Sequence, residues 1–110
     1  QSGKLKAIGV TSTKRAPTVP NVPTLVEAGV AGYDATSWNG VFAPAKTPRA
    51  IVDKLHVDIV KVLKTPDIRD KLVAAGSDPV GSTPEQFSAH VKAELARWGK
   101  VIRENNIRSE

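Results

Sequence analysis

At 110 residues and 11.7 kDa the chain has room for one modest domain, burying about 65% of its unfolded surface, so a small core is within reach and a large internal pocket is not. Hydrophobic residues make up 40% and charged residues 25%, and no apolar run approaches the roughly 20 residues of a membrane span, which excludes a disordered chain and a membrane-embedded one. Lys and Arg total 16 against 11 Asp and Glu, a net charge of +5 that raises nucleic acid as a partner.

The distribution of that charge argues otherwise. Lys92, Arg97, Lys100 and Arg103 are interleaved with Glu94 and Glu104 on one apparent helix, with no aromatic ladder or glycine-rich basic loop, which describes a solvated mixed-charge face. Cys is absent, so disulfides, thiolate nucleophiles and Cys-based metal sites are excluded and the redox compartment stays open. Met is absent too, and a Gln1-Ser2 start followed at once by a strand-like run points to a mature, trimmed or excised piece.

In chain order, Leu5 to Ser12 is rich in β-branched and small residues and predicts a strand covered on both faces. Pro17, Pro20 and Pro23 then remove three backbone donors, so residues 13–23 form an extended connector. Thr24 and Glu27 stand at capping-box spacing with Gly29 as a stop, which predicts a helix of one or two turns. Trp38, Val41 and Phe42 favour a second strand, with Gly32 and Gly40 allowing a bend or a close backbone approach.

Three Thr-Pro steps follow, each offering a hydroxyl N-cap and a proline at the first helical position. Thr47-Pro48 opens a helix with Ile51, Val52, Leu55, Ile59 and Leu63 on an apolar stripe. Thr65-Pro66 opens a shorter one carrying Ile68, Leu72 and Val73 and ended by Gly76. Thr83-Pro84-Glu85-Gln86 matches the capping box and launches Phe87, Val91, Leu95, Trp98 and Ile102 down one face, with Asn105-Asn106 as the stop. Between the last two, Ser77 to Ser82 suits a small edge strand. The result is an α/β chain of two or three strands, three longer helices and one short helix, an incomplete sheet whose apolar faces want a partner.

Catalytic signals are thin. His56 and His90 are each alone on predicted helices without a second ligand at metal spacing, and read as structural. Asp53, Lys54, Asp58 and Lys61 form mixed-charge helix pairs, and no nucleophile elbow, P-loop or dinucleotide fingerprint occurs, so no enzyme and no cofactor is expected. Tyr33, Ser37, Trp38 and Asn39 beside Gly40 gather donors and aromatic faces in a way that suits the rim of a small-molecule cleft. Packing of Trp38 on the long helix, with Ser37 and Asn39 in a turn, suits the same residues equally well.

Gly3 to Ile107 is similar to the C-terminal part of the solute-binding receptors of tripartite tricarboxylate transporters, the Bug family. The likeness is carried by Val10-Thr11-Ser12 followed by Arg15, Val22-Pro23-Thr24 with Glu27-Ala28-Gly29, Trp38 with Gly40, Ala43-Pro44, Thr47-Pro48, Gly81 to Glu85 with Phe87, and Glu94 with Trp98. No one of these is specific; their order and spacing are.

The resemblance implies the C-terminal portion of a two-domain periplasmic-binding-protein fold of type II, located in the periplasm. Such a receptor captures a small carboxylate and hands it to membrane permease subunits, without chemistry or cofactor. It implies that 1–37 is a segment of one lobe with its connector, that 38–48 crosses between lobes, and that 49–110 is a helical segment of the other. Thr11, Ser12, Ser37, Trp38 and Asn39 are the ligand-binding candidates carried over. Each lobe then lacks core partners, and self-association is expected. The alternative is a basic interaction or regulatory domain without a small-molecule ligand, which steep salt-dependent binding to DNA would reveal.

Overall fold

The computed structural model describes residues 4–108. Three helices follow the three Thr-Pro steps: α1 (Arg49–Leu63), α2 (Pro66–Ala74) and α3 (Pro84–Glu104). The steps start them in different ways. At α3 the Thr83 hydroxyl accepts from the Gln86 N–H at 3.2 Å while the Thr83 N–H donates to the Gln86 side chain at 2.9 Å, a complete capping box. At α1 the expected hydroxyl cap is not used: the Thr47 hydroxyl donates to the Pro44 carbonyl at 2.8 Å, closing a tight turn over Lys46 (φ 71°), and the Pro48 carbonyl takes the first helical N–H groups, those of Ile51 and Val52.

Two of these helices end on the same device. After α2 the N–H of Gly76 bonds to Val73 O and that of Ser77 to Leu72 O; after α3 the N–H of Asn106 bonds to Arg103 O and that of Ile107 to Ile102 O. Gly76 (φ 80°) and Asn106 (φ 50°) occupy the left-handed position that this Schellman arrangement requires.

The strands expected at 5–12, within 30–44 and at 77–82 do not form ladders. Among the described residues there is no strand, and the one isolated bridge is the parallel pair Val10 and Thr24. Extended backbone is present, but its pairing does not continue past that bridge and a few single backbone bonds, and Leu5 and Ile8 are 95% and 80% exposed. The short helix expected at 24–29 is likewise a single closed turn. Its Ala28 N–H reaches Thr24 O, then Gly29 (φ 99°) bonds to Val26 O and Val30 to Leu25 O, so the stop follows the first turn immediately.

The chain divides into two units, Gln1–Asn39 with Leu63–Pro79, and Gly40–Val62 with Val80–Glu110. The first break falls inside the 38–48 stretch. The stretch 63–79, which the resemblance grouped with the rest of 49–110, clusters with the N-terminal residues. In the second unit the rings of Phe42 and Phe87 pack with centroids 5.1 Å apart and planes tilted by 57°. Gly40 lies against the same Phe87 ring, so closely that a Cβ there would run into its tip. At the helix starts, the Arg49 guanidinium bridges Asp53 at 2.7 Å and Glu85 at 2.5 Å.

No hydrophobic residue among those described is fully buried. On α1 the half-buried positions are Val52, His56, Ile59, Val60 and Leu63, so the inward face is rotated from the expected stripe and leaves Ile51 and Leu55 exposed. On α3 the stripe is covered at Phe87 and Val91, while Leu95, Trp98 and Ile102 face solvent. Each unit therefore presents apolar faces that its own residues do not cover.

Candidate functional site

All five candidate ligand-binding residues lie in the first unit. Its centre is the segment Val10 to Ser12, held from two sides by backbone bonds. On one side the Val10 N–H donates to Pro23 O at 2.9 Å and the Leu25 N–H donates to Val10 O at 3.0 Å; on the other the Ala35 N–H donates to Thr11 O at 3.0 Å. That last bond is what joins the candidates, because it places Thr11 beside the stretch that runs on into Ser37, Trp38 and Asn39.

Thr11, Ser37, Trp38 and Asn39 are exposed and Ser12 is half-buried. The Ser12 hydroxyl spends its proton on Lys14 O at 2.7 Å, so toward an anionic ligand it is the Ser12 backbone N–H that would donate. Two residues before Ala35 and one after, Tyr33 is partly exposed and the Thr36 hydroxyl is drawn to Asp34 at 3.0 Å, which orders the approach to the tetrad. Hydroxyls, an amide and an indole on extended backbone can bind and orient a small polar molecule; they offer no activated nucleophile. Among the described residues no group of three His, Cys, Asp or Glu is placed to hold a metal.

Behind the segment sits a network that sequence pattern did not reveal. Arg15 Nε lies 3.1 and 2.9 Å from the two Glu27 oxygens, and Arg15 Nη1 donates to Pro20 O at 3.2 Å. Glu27 also accepts from the Thr24 N–H at 2.8 Å and returns its own N–H to the Thr24 hydroxyl at 3.0 Å. The Thr24 N–H first, and the Arg15 guanidinium second, hold the Glu27 carboxyl below the usual glutamate range. Thr24 is 2% exposed, the most enclosed residue in the unit. The Thr24–Glu27 half of the network is written in the sequence as a capping box. The Arg15 half is not, because Glu27 lies twelve positions further on, past the end of the connector, and no periodicity links them.

Solved structures share this fold. Rpa4515 of R. palustris, solved with adipate, matches 86% of this chain and 32% of its own at 41% identity and a TM-score of 0.75. The periplasmic binding protein BugD matches 91% of this chain and 34% of its own at 30% identity and a TM-score of 0.77. The shared fold is that of part of a periplasmic binding protein, a class of receptors rather than of enzymes. Within that class the chain belongs to the tripartite tricarboxylate transporter family receptors, whose family model matches residues 1–107.

Relatives agree with this placement. The UPF0065 protein in the tcbD-tcbE intergenic region of Pseudomonas sp. strain P51 is 40% identical over 105 residues, 94% of this chain and 31% of that protein. BugT of Bordetella pertussis is 32% identical over 108 residues, 98% of this chain and 33% of that protein. The chain thus spans about a third of the length of each of these two relatives.

Proposed function

We propose that the chain contributes to capture of a small carboxylate in the periplasm for delivery to the permease subunits of a tripartite tricarboxylate transporter, within a two-domain fold of type II. The observation that carries this reading is the likeness, at 41% identity over 86% of the chain, to Rpa4515 solved with adipate. Thr11, Ser12, Ser37, Trp38 and Asn39 form one wall of the carboxylate site. Support comes from the Ala35–Thr11 bond, which joins the two candidate segments, and from the +5 charge, which favours approach of an acid. Residues 38–48 are the crossing between lobes, a reading supported by the unit boundary at Asn39–Gly40.

The uncovered apolar faces drive self-association. Leu5 and Ile8 in the first unit and Val41, Ile51 and Leu95 in the second are the exposed apolar side chains that such contacts would cover. Light scattering of the chain at micromolar concentration is expected to return a mass above 11.7 kDa, and a strictly monomeric mass contradicts this part of the reading.

Thermal unfolding with and without a panel of di- and tricarboxylates, acidic amino acids and aromatic acids tests the ligand class. A ligand at about 100 times its Kd stabilises by roughly 2.7 kcal/mol, a rise in Tm of about ten degrees for a chain of this size. A cooperative melt that no carboxylate moves overturns the reading.

A further inference from the structure

We propose that Arg15 is a positioning residue, whose clasp on Glu27 and Pro20 sets the backbone of Val10 to Ser12 and so aims one side of the candidate site. The proposal rests on the reading of Thr11 and Ser12 as ligand-facing, and it starts from a question of chain mechanics. Residues 13–23 contain Pro17 and Pro20, end on Pro23, and belong to no helix or strand, so something must hold this connector in one course if the segment before it is to keep a fixed geometry.

A continuous run of bonds supplies that constraint. Arg15 stands three residues after Ser12 and reaches back across the connector to both Glu27 oxygens and to the Pro20 carbonyl, pinning the loop near its start, its middle and its far end. Glu27 passes the constraint to Thr24 through their reciprocal bonds. Thr24 is bridged to Val10, whose N–H and carbonyl are both used by residues 23–25, and Thr11 is in turn bonded to Ala35. The guanidinium donates from two of its nitrogens in different directions, to a carboxylate and to a carbonyl, which a lysine ammonium on its flexible stem does not reproduce in one fixed geometry. Both side chains are 46% exposed, and exposed ion pairs contribute little net stability, so the value of this one lies in the position it enforces.

The test is residue-resolved amide hydrogen exchange on the 110-residue chain, comparing the parent with Arg15→Met, Arg15→Lys and Glu27→Gln. If Arg15 positions the segment, Arg15→Met speeds exchange of the Val10, Leu25 and Ala35 amides by about tenfold while the amides of α3, in the other unit, keep their rates. Glu27→Gln, which keeps a cap acceptor for Thr24, has the same pattern, and Arg15→Lys falls between it and the parent. Unchanged rates at those three amides overturn the proposal, as does an acceleration spread equally over α3. Adipate titrations of the same proteins separate this from the site reading. A parent that binds adipate and an Arg15→Met variant that binds it several-fold more weakly support both. A parent that binds no dicarboxylate removes the ligand reading, and the exchange pattern still decides whether Arg15 holds the segment.

Discussion

Replacing Gly40 with alanine probes the close approach of its backbone to the Phe87 ring. Its φ is not in the left-handed region, so the cost is one of space alone: the added Cβ meets Phe87 Cζ at 2.0 Å and both Cε atoms at 2.8 Å, where carbon atoms rest at about 3.5 to 4.0 Å. The ring must retreat by about 1.5 Å or the backbone must lift off it. Retreat is resisted by Phe42, packed against the ring with centroids 5.1 Å apart, and by the first turn of α3 from which Phe87 projects. Overpacking of this kind costs about 1 to 3 kcal/mol, and because Phe87 is only half-buried the lower part of that range applies. A loss of 1 to 2 kcal/mol lowers Tm by about 5 to 10 degrees at this chain length. Far-ultraviolet circular dichroism melts of Gly40→Ala measure it, with Gly9→Ala as the control. There the closest atom is Leu25 Cδ2 at 2.9 Å, the tip of a flexible side chain, and the shift is expected to be small. Adding Phe87→Leu to Gly40→Ala should recover part of the loss. A Gly40→Ala melt that matches the parent, or a double variant whose losses simply add, refutes the reasoning.

Thr83→Ala removes the acceptor for the Gln86 N–H and should cost about 1 kcal/mol in a denaturant titration, whereas Thr83→Ser, which keeps the hydroxyl, should cost far less. Gly29→Ala places a side chain at φ 99° with open space around it, so its loss of about 1 to 2 kcal/mol is purely conformational, while Lys46→Gly at φ 71° relieves strain and should leave Tm equal or raised. Glu27 and Glu85 are both held below the usual glutamate range, the first by the Thr24 N–H and then Arg15, the second by its own backbone N–H and then Arg49. Folding therefore releases protons from these carboxyls, and their stabilisation is complete above about pH 4.3 and is lost as pH falls through the lowered folded values. Tm of the chain carrying Glu27→Gln and Glu85→Gln should respond less to acid between pH 5 and 3, roughly, than that of the parent, and an equal response contradicts the assignment.

Helices were legible because their signals are local. Each Thr-Pro step stands within two residues of a helix start, and the Asn105-Asn106 stop is realised with Asn106 at φ 50°. Strands were not, because β-branched residues in Leu5 to Val10 record a preference for a pleated surface without recording whether a neighbour is there to pair. The face of α1 was misjudged for a related reason: i, i+4 spacing of apolar residues is satisfied by more than one stripe, and packing selected the one that includes His56 and Val60. At the candidate site the residue types of the 37–39 stretch were legible as binding-competent. Their nearness to Thr11 was not, since it depends on the Ala35–Thr11 bond across more than twenty residues of sequence, and the Arg15–Glu27 clasp is hidden for the same reason.

The account stands most directly on whether these particular backbone groups meet a carboxylate. Titration of the isotopically labelled chain with adipate, followed by amide and indole resonances, reads each of them separately. A carboxylate held by this wall gives concentration-dependent shifts concentrated at Thr11, Ser12, Ser37, Trp38 and Asn39, with the C-terminal half of α3 unmoved. Shifts confined to other residues, or none at adipate concentrations far above any receptor's working range, contradict it.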